Sequence, residues 1–491
     1  MDILNQLVSA LSKEELRYFK IFAMRMHTSE SRKDFMLLDY MRKAGEKYDD
    51  NHAVRKLYGG PDKTNFYRLK NRLLDYLGDY LSFHHIWKSD LNELHRNLSL
   101  YHIFLRKSQF KVSLFYLKKA EQKAKAVENF EMLDMIYDNF VKLSNDLLEI
   151  NPEDYIGKRK ANAIQLNKIR ETDQALAALN YRLKITQNVA SKNTDALKIL
   201  NHTIKEFTSD EKLKESKSFQ TRIYRAVSQI LLQQHNYTAL EKFLKETYPY
   251  FEKQKWFDKE NHETMLQMLT YLVNSLFRNN KYEESLKYAA LLGQEIKAFS
   301  RMLYDKYLFF YYNSLVINYT ALDKKKALVT LNEFEKEIRN KKNSYYDQFL
   351  FFNRAMILHQ LGKPSEAIRN MVRLYVNDNF KKADESFKFK IIVAELIMQF
   401  DAGDPESYLL RSRSIKKQFK KLLTGGDFIR EKQLIQLTDK MIVKMNYKND
   451  AKLKKQSDLF VKARVNAAVI DSEIINYSRW LAPKWGILLA S

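Results

Sequence analysis

The chain has 491 residues, 45% hydrophobic and 29% charged, and its 84 Lys and Arg against 60 Asp and Glu leave a formal charge of +24. It contains no Cys, which excludes disulfides, thiolate metal sites and cysteine nucleophiles. Only 11 Gly and 6 Pro leave little punctuation for many short strands, so the expected fold class is all-α.

A charge of this sign draws a protein to nucleic acid, anionic membrane or acidic proteins, but abundant Lys, Asn, Tyr, Phe and Ile also fit the background of an AT-rich genome. Both readings stay open. The opening residues carry an early Asp2 and helically spaced apolar residues rather than a continuous run, which is not the pattern of a signal peptide. No apolar run approaches the ~20 residues that span a bilayer. The expected location is cytoplasmic.

Leu4, Leu7 and Leu11 mark a short first helix. Ser12 and Glu15 then fit a capping box, with Leu11 and Leu16 placed as a hydrophobic staple. Leu16, Phe19, Ile21, Phe22 and Met26 continue as an apolar stripe, and Phe35, Leu37, Leu38 and Met41 give the next helix, ended by Gly45. Residues 1–90 therefore read as a helical N-terminal domain. Within it, residues 50–83 form a short helix, a turn at Gly59-Gly60-Pro61-Asp62 and a long helix that buries Phe66, Leu69, Leu73, Leu77 and Tyr80. Thr64, Arg68, Asn71, Arg72 and Asp75 lie opposite. A helix-turn-helix has this outline, but Asp75 and Asp79 on the outer face would repel phosphate, and an ordinary helical cap explains the pattern as well.

Residues 91–192 read as a helical connecting region or as divergent repeats, with the clearest break at Ile150-Asn151-Pro152-Glu153-Asp154. From residue 193 a repeat emerges. A small residue followed by an apolar one recurs at Ala196-Leu197, Ala239-Leu240, Ser285-Leu286, Ala327-Leu328, Ala367-Ile368 and, weakly, Ser407-Tyr408. Small residues let two helices cross closely. The clearest unit is Phe351 to Tyr375, where Gly362-Lys363-Pro364-Ser365 joins two helices: Gly suits a helix end, and Pro in a first turn loses no needed N–H.

These residues resemble the tetratricopeptide repeat (TPR), whose helix pairs carry a small residue early in the second helix. The resemblance covers about residues 193–425. Its departures are a period of 40 to 46 residues instead of about 34, and Val273 and Leu315 where a small residue is usual. It implies a TPR-like α-solenoid of stacked antiparallel helix pairs whose first helices line a concave, protein-binding face, and it carries no enzymatic activity. Registered on Ser285, Ala327 and Ala367, that face receives Thr270, Asn274 and Arg278, then Phe309, Tyr312 and Tyr319, then Phe352, Met356 and His359. The alternative is that the longer repeat rotates the first helices and buries the aromatics.

Residues 426–491 hold basic helices and an apolar tail. Residues 411–464 carry 16 Lys or Arg against 5 Asp or Glu, so a polyanion-binding stripe competes with a merely solvated face. Its candidates are Arg413, Lys416, Lys417, Lys420 and Lys421, opposite Ile415, Phe419 and Leu422. The tail, with Tyr477, Trp480 and Trp485, is expected to dock as a cap on the solenoid or on a partner.

No catalytic constellation is found. Phosphate-binding glycine loops, HExxH, a serine elbow and an EF-hand loop are all absent. His84, His85, His95 and His102 are grouped, but on one helix His84 and His95 lie ~16 Å apart at ~1.5 Å per residue, so that helix alone builds no metal site. Paired acids such as Glu14-Glu15 and Glu283-Glu284 suit first helical turns. The expectation is a non-enzymatic scaffold or adaptor with a protein partner and no cofactor or metal. The alternative is a nucleic-acid- or ribonucleoprotein-associated factor using the basic C-terminal region.

Overall fold

The computed structural model describes residues 2–26, 32–45, 48–60, 63–86, 90–187, 215–339, 344–426, 428–444, 446–463 and 473–487. The fold is all-α, with no strand among the described residues. No helix there is long and apolar enough to cross a membrane. The chain forms two compact units, Met1–Ile230 and Leu231–Ser491.

In the first unit, helices Ile3–Ala10, Lys13–Met26, Arg32–Ala44, Asp50–Tyr58 and Thr64–His85 enclose one core built on Leu4, Val8, Phe19, Leu37, Met41, Val54, Phe66, Leu69, Leu73, Leu77 and Tyr80. The capping box forms: the Ser12 N–H donates to Glu15 at 2.8 Å, and the Glu15 N–H donates to Ser12 Oγ at 3.1 Å. The buried face of Thr64–His85 is the expected one. On its outer face Thr64, Arg68, Asn71 and Asp75 are exposed, whereas Arg72 is half-buried and reaches the buried Asp34 at 3.1 Å. The same unit continues with Asp90–Arg106, Phe110–Ala126, Phe130–Leu143 and Pro152–Gln187, around Leu98, Tyr101, Leu117, Ile136 and Phe140.

One turn recurs through both units. A helix ends on a residue in the left-handed region, at Ser108, Glu128, His235, Asn280 and Gly362, with φ between 52° and 73°. The following residue donates its N–H to the carbonyl five positions back: Gln109 to Phe104, Asn129 to Ala124, Asn236 to Leu231, Lys281 to Leu276 and Lys363 to Leu358, all at 2.9–3.0 Å. The left-handed residue itself donates three positions back, as Ser108 to Leu105 and Gly362 to His359 at 3.0 Å. This is a Schellman ending that satisfies the last carbonyls of the first helix and points the chain straight into the second.

The turn fixes a register. Four positions beyond it stand Ser113, Leu133, Leu240, Ser285 and Ala367, each buried; Ala327 and Tyr408 hold the same place after the N-caps Asp323 and Asp404. Leu240 and Tyr408 therefore occupy the position that the search for small residues gave to Ala239 and Ser407, of which Ser407 is exposed. Ala196 lies outside the described residues. The helices touch closely where the residue is small: the Ser113 hydroxyl donates to the Tyr101 carbonyl, and the Ser285 hydroxyl to the Val273 carbonyl at 2.9 Å. The hairpin 90–126 thus repeats the construction of the hairpin 262–295.

In the second unit, helices Tyr237–Lys253, His262–Arg278, Tyr282–Glu295, Tyr304–Leu322, Lys324–Ile338, Ser344–Gln360, Pro364–Tyr375, Glu385–Ala402, Pro405–Gln418, Ile429–Val443, Ala451–Lys462 and Tyr477–Trp485 pack mainly on their chain neighbours. One connection is unusual: Phe299, Ser300 and Arg301 are all left-handed, at φ 49°, 57° and 62°.

Candidate partner-binding surface

The face expected to meet a partner draws on helices His262–Arg278, Tyr304–Leu322 and Ser344–Gln360. On the first, Arg278 is exposed with its guanidinium 5.5 Å from the Tyr237 ring, Asn274 is half-buried, and the Thr270 hydroxyl donates to the Leu266 carbonyl of its own helix. On the second, the aromatics are engaged in packing between helices. Phe309 meets Tyr345, Tyr346 and Phe349 at centroid distances of 5.1, 6.1 and 5.0 Å, and Tyr312 meets Phe334 at 4.9 Å. Tyr319 is partly buried and lies under the Lys326 ammonium at 4.6 Å. Phe309 and Tyr312 are thus partly buried in packing between neighbouring helices. Burial also pushes the Tyr312 hydroxyl up to about 12, with the carboxylate of Glu337 adding to it.

On the third helix, Phe352 and Met356 are partly buried against Ala355, Leu358, Met371 and Met398. His359 is held by Asp401, Nε2 to Oδ2, at 2.7 Å. Asp401 sits at the C-terminal end of Glu385–Ala402, where the helix dipole disfavours a carboxylate. It is nevertheless ionised, because it collects further partners: the Trp480 indole N–H donates to Oδ2 at 2.8 Å and the Lys484 ammonium to Oδ1 at 2.5 Å. Burial pushes the Asp401 carboxyl up, and the bonds from His359, Lys484 and Trp480 outweigh it and hold it below the usual range.

Trp480 and Lys484 belong to the C-terminal segment, so the chain's own tail lies against this helix. Met356, His359 and Gln360 face Ile474, Ile475, Asn476, Arg479 and Trp480 across a cleft of about 270 Å³. The segment is fixed at both ends. Arg430 forms an ion pair with the buried Glu473 and donates to Ser478 Oγ at 2.8 Å. Tyr477, Leu481, Ala482 and Trp485 complete a core with Leu434, Met441, Leu453 and Phe460. Sequence reading anticipated docking of the tail but missed Asp401, Lys484 and Glu473, because each signal is a lone acid whose partners lie 42 to 83 residues away.

The basic stripe is displayed differently from expectation. Pro405–Gln418 ends at Phe419, whose φ and ψ are −105° and 30°, and Lys420–Thr424 starts a new short helix. Burial of Phe419 beneath Phe389, 5.2 Å away, anchors the break. Lys420 and Lys421 therefore do not continue the face of Arg413, Lys416 and Lys417. All five are exposed, and Lys416 is paired with Asp439.

Comparison with family models, with curated proteins and with solved structures gives no match for this chain.

Proposed function

We propose that the chain is a non-enzymatic scaffold: a TPR-like solenoid that holds a protein partner on the first helices of its repeats. The observation that carries this reading is the recurrent hairpin itself. The Schellman turn recurs at residues 108, 128, 235, 280 and 362, and the same buried position follows each of them. Hairpins of like construction that cannot bury their apolar faces alone are what stacking repeats require. The seating of the C-terminal segment on helix Ser344–Gln360 supports it further, since there one repeat helix lines a cleft with a segment carrying Trp480 and Arg479. Aromatic and basic groups are common anchors at protein interfaces.

The test is affinity capture from the source cell followed by mass spectrometry, with and without nuclease, on the wild type and on Asn274→Ala with Arg278→Ala. These two side chains reach the surface without filling the core, so thermal unfolding should stay within about 0.5 kcal/mol of wild type. Loss of a nuclease-resistant partner in the variant supports the surface. Retention of every partner places binding elsewhere. A second reading, polyanion binding, is favoured by the exposure of Arg413, Lys417, Lys420 and Lys421. It predicts nuclease-sensitive capture and affinity for DNA or RNA that falls steeply with salt.

A further inference from the structure

The grouped histidines find on another helix the ligand that their own helix lacks. Glu15, from Lys13–Met26, comes against His84 and His85 at the end of Thr64–His85. One donor atom from each of the three lies within 4.8 Å of the others, and all three side chains are half-buried. We propose that Glu15, His84 and His85 form a binding site for a divalent transition metal of the zinc class.

The donors are oriented before any ion arrives. Glu15 Oε2 accepts the Ser12 N–H at 2.8 Å, which turns Oε1 toward His85 Nε2, also at 2.8 Å. The His84 ring stacks on Tyr80 at 5.3 Å and Tyr18 at 6.0 Å, and the His85 ring stands edge-on to it at 5.0 Å. Beneath them Tyr80 packs on Phe19 and Phe22, so the two helices that supply the ligands are joined by a shared core.

The donor set selects the ion. Two imidazoles and one carboxylate suit Zn²⁺, Co²⁺ or Ni²⁺, whereas Ca²⁺ and Mg²⁺ require mostly oxygen. With bonds of about 2.0–2.2 Å, donors around a tetrahedral ion stand roughly 3.3–3.6 Å apart. The Glu15–His85 pair must open slightly and His84 must close in, both through side-chain rotation. Three protein ligands leave a coordination position for water or for a group from a partner. Bound metal would staple the first and last long helices of the N-terminal bundle, and the Ser12–Glu15 bond would act as the outer support that fixes a ligating carboxylate.

The test uses the full chain stripped with EDTA. Titration with Co²⁺ should give one equivalent of visible absorption typical of low-coordinate cobalt, abolished by Zn²⁺, and Zn²⁺ should raise the melting temperature. His84→Phe keeps the stacked ring and removes the donor; Glu15→Gln keeps the cap and removes the anion. Each should weaken Zn²⁺ binding by about 10–100-fold, with the helical circular dichroism retained. Failure of the wild type to bind one Zn²⁺ at ~100 µM, far above the dissociation constant of a built zinc site, overturns the proposal. So does binding that both variants leave unchanged, since the ion then sits elsewhere.

Discussion

Replacing Glu241 by Gln tests how neighbouring hairpins are joined. Glu241 follows the buried Leu240 and is itself buried. Its carboxylate accepts from Lys245 at 2.8 Å, Lys281 at 2.6 Å and Asn279 at 2.6 Å. Asn279 and Lys281 flank the left-handed Asn280 in the next turn, so one carboxylate ties helix Tyr237–Lys253 to the turn of the following pair. Burial pushes the Glu241 carboxyl up, but the bonds from Lys245, Lys281 and Asn279 prevail and bring it from an ordinary 4.5 to about 2. At about 1.36 kcal/mol per pKa unit, that gap sets a ceiling of roughly 3 kcal/mol on its contribution to folding.

Lys281 is half-exposed, and screening by water reduces the ceiling to about 1–2 kcal/mol. A carboxyl whose folded pKa is lowered stabilises fully above its unfolded value and loses that contribution as pH falls toward the folded one. The stabilisation is therefore complete above pH ~5 and fades toward pH ~2. Urea unfolding of Glu241→Gln and wild type should differ by about 1–2 kcal/mol at neutral pH and converge only as pH falls to ~2. Tryptophan fluorescence is a suitable probe, because Trp256 packs edge-on to Phe251 at 5.0 Å, on the same helix as Glu241. A deficit of the same size at every pH would mean that shape, not ionisation, holds the joint. No deficit at neutral pH would mean that the network contributes nothing.

Two further substitutions probe the backbone plan. Ala367→Leu puts a large side chain where the hairpin helices touch and Ala367 is fully buried, so it should cost about 1–3 kcal/mol; unchanged thermal unfolding would refute the register drawn from the turns. Ser300→Gly relieves one of three successive left-handed residues at an exposed site and should stabilise by about 0.5–1 kcal/mol, seen as a higher melting temperature, while a neutral or lower one would mean that the turn holds no strain at that residue.

The legible parts of this chain are those written in side chains along one helix. The face of Thr64–His85 could be read because Phe66, Leu69, Leu73, Leu77 and Tyr80 recur at helical spacing. The hairpin at 351–375 could be read because its left-handed residue is Gly362. At Ser108 and Glu128 the same turn is made by residues with no preference for it, so its signal is absent from composition, whereas His235 and Asn280 are residue types that enter the left-handed region more readily. That is why the hairpin 90–126 stayed unassigned as a repeat. The break at Phe419 was hidden for a related reason: it follows from where the ring is buried, not from a Gly or Pro.

The joints between hairpins are written in a different chemistry from the hairpins. Within a pair, apolar residues at fixed offsets do the packing. Between pairs, polar side chains reach across: Glu241 to Asn279 and Lys281, Asn318 to Ser285 at 2.8 Å, His359 to Asp401, and Tyr375 to Glu395 at 2.7 Å with Arg411 on the same carboxylate. Such contacts are directional, and a buried partner left alone costs more than the pair gains, so they specify how one hairpin is set against the next. The partners that join one pair to the next lie 20 to 42 residues apart, beyond the reach of periodicity. A surface assembled from several hairpins therefore depends on these joints, which explains why the fold class could be read from the sequence while the residues of the candidate surface could not be separated from those that pack.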